Sequence, residues 1–255
     1  MALLEVSGID VAYGPVVALR GVSLHVEAGE RIALLGTNGA GKTTTLRAIS
    51  GLMAPQAGEI LLDDESIGGL PAYKVVGKGV AHGPEGRELF SGLTVEENLR
   101  YGWWPARKGG TRFKDELAWV YELFPRLEER RRQAAGTMSG GEQQMLVVAR
   151  ALMSSPRLLM VDELSMGLAP KIVALLFEII ELVNSRGTAV IIVEQFVDMA
   201  LQHTDRAYVL AKGQVILEGP SAELRDSPEL LESYLGGGGG GHGHGHGVVE
   251  PTLTR

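Results

Sequence analysis

An α/β architecture built on a mostly parallel sheet is the fold class this sequence predicts, and three observations carry it. Short apolar runs alternate with stretches of helical periodicity along most of the chain. The apolar run Arg31–Leu35 leads into a glycine-rich loop and then a helical stretch, which is the opening of an α/β phosphate-binding unit. Between the early and late strands lies a polar helical segment, residues 94–135, interleaved with Trp103, Trp104, Trp119, Tyr121 and Phe124, which reads as a separate lobe.

In chain order, residues 3–6 and 9–13 alternate apolar and polar side chains, residues 18–26 alternate again, and Ala28-Gly29-Glu30 makes a turn. Residues 43–52 have helical character, 58–62 read as a strand and 79–81 as a short one. Residues 138–153 are a strong helix candidate after a Ser-Gly-Gly lead-in. An apolar strand at 158–161 precedes an amphipathic helix at 172–183, a β-branched strand at 189–193 and a short helix at 197–202. Strands at 206–210 and 214–218 follow. From Gly236 the sequence becomes low-complexity glycine and histidine, a tail expected to be disordered. His242, His244 and His246 alternate there with glycine, so imidazole is available for Zn²⁺ or Ni²⁺, but no rigid site is evident.

Composition narrows the function classes. Hydrophobic residues at 45% and charged residues at 22% are those of an ordinary globular protein. With no cysteine, disulfides and thiolate metal sites are excluded. A formal charge of −7 argues against broad adhesion to nucleic acid or to an anionic membrane. No apolar run approaches the roughly 20 residues that span a bilayer, and Met1-Ala2-Leu3-Leu4-Glu5 lacks the basic start of a signal peptide. The chain is therefore expected in the cytosol; at a membrane, another chain must hold it.

Gly36-Thr37-Asn38-Gly39-Ala40-Gly41-Lys42-Thr43 fits the phosphate-loop pattern in its strand–loop–helix context. Glycines let successive amides turn inward as a nest for phosphate oxygens, and the following helix adds the positive end of its dipole. Gly36, Asn38, Gly39, Ala40, Gly41, Lys42, Thr43 and Thr44 are the expected nucleotide-binding residues, with Lys42 a charge for the β- and γ-phosphates and Thr43 a Mg²⁺ ligand. The alternative, a chance glycine turn before Lys-Thr, leaves the flanking strand and helix unexplained.

The apolar strand Leu158-Leu159-Met160-Val161 ends in Asp162-Glu163. Ligands of a parallel sheet bind beyond the carboxyl ends of its strands, so both acids are expected beside the phosphate loop. Asp162 suits Mg²⁺ coordination and Glu163 suits polarising the attacking water. Without the phosphate loop, a strand simply ending on solvent would be the better reading.

Ser139-Gly140-Gly141-Glu142-Gln143-Gln144 discriminates most. Ser139 and Glu142 have capping-box spacing, and Met145, Ala149 and Leu152 continue one apolar face. A capped helix leaves two adjacent glycines in the first turn unexplained, since they cost stability there. Bare backbone lets an anion approach the helix N-terminus closely.

With these motifs in this order, the chain resembles the ATP-binding subunits of ABC transporters over residues 1–235. The Walker A, signature, Walker B and D-loop segments are residues 36–43, 138–143, 158–163 and 165–170. The resemblance implies a P-loop NTPase (RecA-like) fold with an N-terminal antiparallel β subdomain and a helical subdomain inserted at about residues 86–155. It implies ATP hydrolysis with Mg²⁺ as cofactor, Tyr13 stacking on adenine, and head-to-tail pairing in which Ser139, Gly140, Gly141 and Glu142 reach the nucleotide of the partner cassette. Closing and opening of that pair is then a rigid-body switch biased by one phosphate.

Within the family the chain is most similar to LivF-type subunits of branched-chain amino acid importers. The similarity rests on Pro84-Glu85-Gly86-Arg87, Leu93-Thr94-Val95-Glu96-Glu97-Asn98-Leu99, Met138-Ser139-Gly140-Gly141-Glu142-Gln143-Gln144-Met145, Gly167-Leu168-Ala169-Pro170 and Val193-Glu194-Gln195. It implies a second, LivG-like ATPase subunit or a homodimer, two transmembrane permease subunits, an extracytoplasmic solute-binding protein, and no nucleic acid. It places the chain at the cytoplasmic face of the plasma membrane, held through the permease. Related importers carry amides and urea, which leaves the solute open.

Several positions depart from the wider family. Glu85 stands where a glutamine is usual and Gln195 where a histidine is usual; both are expected near the reaction, with Glu85 also near Mg²⁺. Gln195 cannot carry a proton as histidine does, so hydrolysis is expected to lean on Glu163. Leu164 and Thr37 replace prolines, and the loss at 164 is expected to loosen the chain after Glu163. His82 is expected to be structural. Arg130-Arg131-Arg132 reads most simply as a solvated helix end, with permease contact the alternative. For Trp103 and Trp104, permease contact and packing of the lobe are both open. Two other function classes remain in view. One is a nucleotide-dependent clamp with little turnover; the other, a soluble ATPase acting on DNA or ribosomes, usually carries tandem cassettes, long coiled coils or zinc insertions that this chain lacks.

Overall fold

The computed structural model describes residues 2–230, and the histidine tail lies outside the described residues. Two long strands open the chain, β1 (Ala2–Tyr13) and β2 (Val16–Glu27), paired antiparallel. The sequence predicts shorter strands here. The break expected near residue 8 is instead a bend within β1: Gly8 has φ 59° and the register shifts between Val6 and Ile9.

After β3 (Arg31–Leu35) come α1 (Lys42–Ile49), β4 (Ala57–Leu62), β5 (Glu65–Ser66), α2 (Ala72–Gly77) and β6 (Val80–Gly83). The segment that follows holds four α-helices, α3 (Val95–Trp103), α4 (Phe113–Leu123), α5 (Pro125–Glu129) and α6 (Gly140–Leu152), and two short 3-10 turns, Ala106–Gly109 and Ala135–Thr137. The chain then alternates through β7 (Leu158–Asp162), α7 (Pro170–Ser185), β8 (Ala189–Val193), α8 (Val197–Gln202), β9 (Arg206–Ala211), β10 (Gln214–Pro220) and α9 (Ser221–Arg225).

Two sheets result. β2-β1-β4-β5 is antiparallel, and β10-β9-β3-β8-β7-β6 is parallel except for its edge strand β10. The unbroken apolar sequences of β7 and β8 follow from burial on both faces. On β8, Ala189, Ile191 and Val193 pack toward the N-terminal sheet, while Val190 and Ile192 pack toward α6 and α7. Leu158 and Met160 of β7 alternate with Leu159 and Val161 in the same way.

The parallel register sets the carboxyl ends of β3, β8, β7 and β6 side by side, and each runs into a loop carrying candidate residues. Among the described residues no helix is long and apolar enough to cross a membrane.

Candidate functional site

The phosphate loop leaves the end of β3 and enters α1. Gly36 has φ 147°, and a Cβ there would stand 2.3 Å from the Leu210 carbonyl oxygen, so no other residue fits. Gly41 caps α1 at φ 112° with no side-chain cap, which leaves the first-turn amides of the helix without a helical acceptor. Lys42 is buried, and its Nζ donates to the carbonyls of Gly36 at 2.8 Å and Thr37 at 3.2 Å, strapping the loop into a cradle. Burial lowers the pKa of this ammonium, while the charges of Glu163, Asp162 and Glu85 pull it back up.

The other three strand ends complete a cleft of about 350 Å³. Asn38, Gly39, Ala40, Gly41, Lys42, Thr43 and Thr44 line one side, and Glu85, Glu163 and Gln195 line the other. Ala18 and Met166 also line it, and neither carries a sequence signal for such a role. Gln195 Nε2 donates both to Asn38 Oδ1 at 3.0 Å and to Glu163 Oε1 at 3.1 Å, joining the loop to the acid. A glutamine in place of histidine thus keeps the orienting hydrogen bonds without a titrating group. Glu85 stands exposed at the cleft mouth.

Asp162 is fully buried, and neither carboxylate oxygen makes a hydrogen bond of ordinary geometry. Burial pushes its pKa up to about 6; Thr43 opposes the rise, Glu85 and Glu163 add to it, and Lys42 opposes it. An unpaired buried carboxylate facing a threonine hydroxyl fits a divalent cation. Among the described residues no group of three or more acidic or imidazole side chains could hold a metal alone. That donor set suits Mg²⁺, which binds through one or two carboxylates, water and substrate phosphates.

A pH dependence follows. Because the folded pKa is raised above the ordinary carboxylate value, the metal-free protein is favoured at low pH. It loses that increment as pH rises from about 4 through about 6. We expect thermal unfolding of the metal-free chain to show this decline, Mg·ATP to stabilise more at pH 7 than at pH 5, and Asp162→Asn to remove the decline.

Tyr13 is 44% exposed at the end of β1, with its hydroxyl 3.4 Å from Thr44 Oγ1 and accepting from Arg47 at 3.3 Å. These contacts orient the ring beside the loop. Ser139, Gly140, Gly141 and Glu142 do not line the cleft; they form the N-terminal tip of α6, with Ser139 exposed and the other three half-buried. The capping box is present: Glu142 N donates to Ser139 Oγ at 3.4 Å, and Ser139 N donates to Glu142 Oε2 at 3.1 Å. The glycines have packing reasons of their own. The Arg87 guanidinium lies against Gly140, and Ile172 lies against Gly141.

Other sequence expectations resolve here. Arg130 is an ion-pair partner of Glu142 at 2.9 Å, which ties it to α6 rather than to solvent. Trp103 packs edge-on against Phe113 and donates Nε1–H to the Thr111 carbonyl, whereas Trp104 is 56% exposed. His82 is held within hydrogen-bonding distance of Ser50 Oγ at 3.3 Å, and burial lowers its pKa to about 4. After Glu163 the chain is not left free: Leu164 is fully buried, and Ser165 is bonded by Glu194.

A phosphate cradle at the end of an interior strand, a buried cation-type carboxylate and an outlying Ser-Gly-Gly helix tip define a nucleotide-binding cassette. Residues 19–165 match the family described as ABC transporter. The chain is 46% identical over 235 residues to the high-affinity branched-chain amino acid transport ATP-binding protein BraG of Pseudomonas aeruginosa, covering 92% of this chain and 100% of that protein. It is 34% identical over 251 residues to BraF of the same organism, which carries the same description, covering 92% of this chain and 98% of BraF. A solved ATP-binding subunit of an ABC transporter superposes with a TM-score of 0.80 at 28% identity, over 92% of this chain and 98% of that one. The chain belongs to the ABC transporter family, as one of its ATP-binding cassettes, the subunits that hydrolyse ATP to drive transport.

Proposed function

We propose that this chain is the LivF-type ATPase of a branched-chain amino acid importer, working at the cytoplasmic face of the membrane. The observation that carries this reading is the similarity to BraG over 92% of this chain and all of that protein, supported by a cleft that Lys42, Glu85, Glu163 and Gln195 line together. We take residues 1–235 as the cassette, with the helices between β6 and β7 as its inserted lobe.

In this reading the loop amides and Lys42 hold the ATP phosphates, Tyr13 stacks on the adenine, and Gln195 aligns Glu163 to polarise the attacking water. Thr43, Asp162 and Glu85 would hold Mg²⁺, which supplies neutralisation of the charge on the phosphates when bound. Ser139, Gly140, Gly141 and Glu142 act in trans, because the helix tip carrying them stands away from the cleft of its own chain. BraF and BraG, two relatives of this chain within one organism, favour a heterodimer with a LivG-like partner over a homodimer. Two permease subunits and an extracytoplasmic binding protein complete the assembly. The aromatic surface of Phe90, Tyr101 and Trp104 suits the permease contact, since all three are exposed.

Reconstitution with permease, second cassette and binding protein tests the proposal. Leucine, isoleucine or valine bound to the binding protein is expected to stimulate phosphate release severalfold. Trp104→Ala is expected to weaken recovery of the chain with the permease without loss of ATP binding. Stimulation by an amide or urea, with none by branched-chain amino acids, would overturn the solute assignment.

A further inference from the structure

Glu163 occupies an uncommon backbone conformation, with φ at 51°. For a residue other than glycine this costs on the order of 1 kcal/mol, so the surroundings must hold it. The hold on the upstream side is the Glu163 N–H, which donates to the Val193 carbonyl at 2.9 Å. On the downstream side Ser165 N donates to Glu194 Oε1 at 2.8 Å, and Ser165 Oγ donates to Glu194 Oε2 at 2.6 Å. The carboxylate tip is held by Gln195. Three consecutive residues at the end of β8 therefore clasp the backbone before Glu163, the backbone after it, and its side chain.

Glu194 is 1% exposed, an unusual site for a carboxylate whose neighbours include no cation hydrogen-bonded to it. Burial raises its pKa, opposed by the Ser165 hydroxyl, the Ser165 amide and the Gln195 amide. Both oxygens accept from Ser165, and Glu194 does not line the nucleotide cleft. A carboxyl group kept this deep holds its bond donors in fixed geometry.

We propose that Glu194 is a positioning residue for ATP hydrolysis, clamping Ser165 so that Glu163 stays aimed at the attacking water. The inference rests on the assignment of Glu163 above. Its effect is on alignment, where a displacement of about 1 Å can cost 10²-fold in rate, and not on nucleotide capture.

The test uses the full-length chain with its partner subunits, measuring kcat and KM for ATP, equilibrium ATP binding and thermal unfolding for each variant. Glu194→Ala is expected to lower kcat about 10- to 100-fold with KM and ATP affinity within about twofold. Glu194→Gln keeps an acceptor for the Ser165 amide and is expected to restore most of the lost rate. Ser165→Ala, which removes one arm of the clamp, is expected to lower kcat about threefold to tenfold, and it decides the matter if Glu194→Ala fails to fold. Adding Ser165→Ala to Glu194→Ala is expected to cost little further, because the two act as a unit. A kcat within twofold of the unaltered chain for both single variants, or a kcat loss matched by a rise in KM, overturns the proposal. An unaltered chain without turnover overturns the hydrolytic reading as well; normal turnover matched by Glu194→Ala overturns only this one.

Discussion

Glu163→Gln is expected to lower steady-state ATP hydrolysis by about 10²- to 10⁴-fold, the range general-base catalysis supplies, while ATP binding stays within about twofold. The substitution keeps the shape of the side chain and the Oε1 acceptor for Gln195, whose Nε2 lies 3.1 Å away. It removes the charge and the proton-accepting oxygen. No other acid replaces it: Asp162 is buried behind Thr43, and Glu85 sits at the cleft mouth. Gln195 has no titrating group. ATP should then remain between paired cassettes, so the variant should hold its partner longer than the unaltered chain does. Phosphate release and ATP-dependent association, measured on the same preparation, separate these effects. Retention of a tenth or more of the rate would place the base elsewhere. An unaltered complex that binds ATP but releases no phosphate over many turnovers would instead favour the clamp.

The sequence made the core strands legible because burial on both faces leaves little room for polar residues. β8 was bounded to the residue by its β-branched run, and α8 likewise by its flanking loops. The short elements escaped. Two residues of β5 cannot show alternation, and α2 buries only Val75, so neither carries a periodic signal. β1 reads as broken because Gly8 interrupts the alternation, although the backbone bends there and continues.

The candidate site divides along the same line. The phosphate loop and Asp162-Glu163 could be read locally, because consecutive residues act together and the strand directs them. What the sequence could not display is contact between distant segments. The Gln195 bridge to Asn38 spans 157 residues, and the Glu194 clamp on Ser165 spans 29. Nor could it assign Arg87 to the face of Gly140, since the guanidinium arrives from a separate loop. The expected looseness at Leu164 followed from proline geometry alone; burial of Leu164 and bonding of Ser165 supply the restraint by other means.

Lys42→Ala is expected to raise the ATP dissociation constant by about 10²-fold or more, since a hydrogen bond to a charged group contributes about 1.5–3 kcal/mol and Lys42 serves several oxygens. Two losses combine. The phosphates lose a partly desolvated cation, and the loop loses the strap from Nζ to the Gly36 and Thr37 carbonyls, so the cradle is less well formed before ligand arrives. Lys42→Arg does not repair this, because a planar guanidinium cannot replace a compact ammonium in a buried cradle. Unfolding without ligand separates the two contributions: the strap adds little to global stability, so the melting temperature of the free variant should stay close to that of the unaltered chain. ATP at a hundred times the original dissociation constant should stabilise the unaltered chain by about 2.7 kcal/mol and the variant by well under 1 kcal/mol. If the nucleotide joins the two cassettes as proposed, association with the second cassette should fall in the same proportion. If Lys42→Ala bound Mg·ATP and its partner as tightly as before, the cleft would not be the nucleotide site.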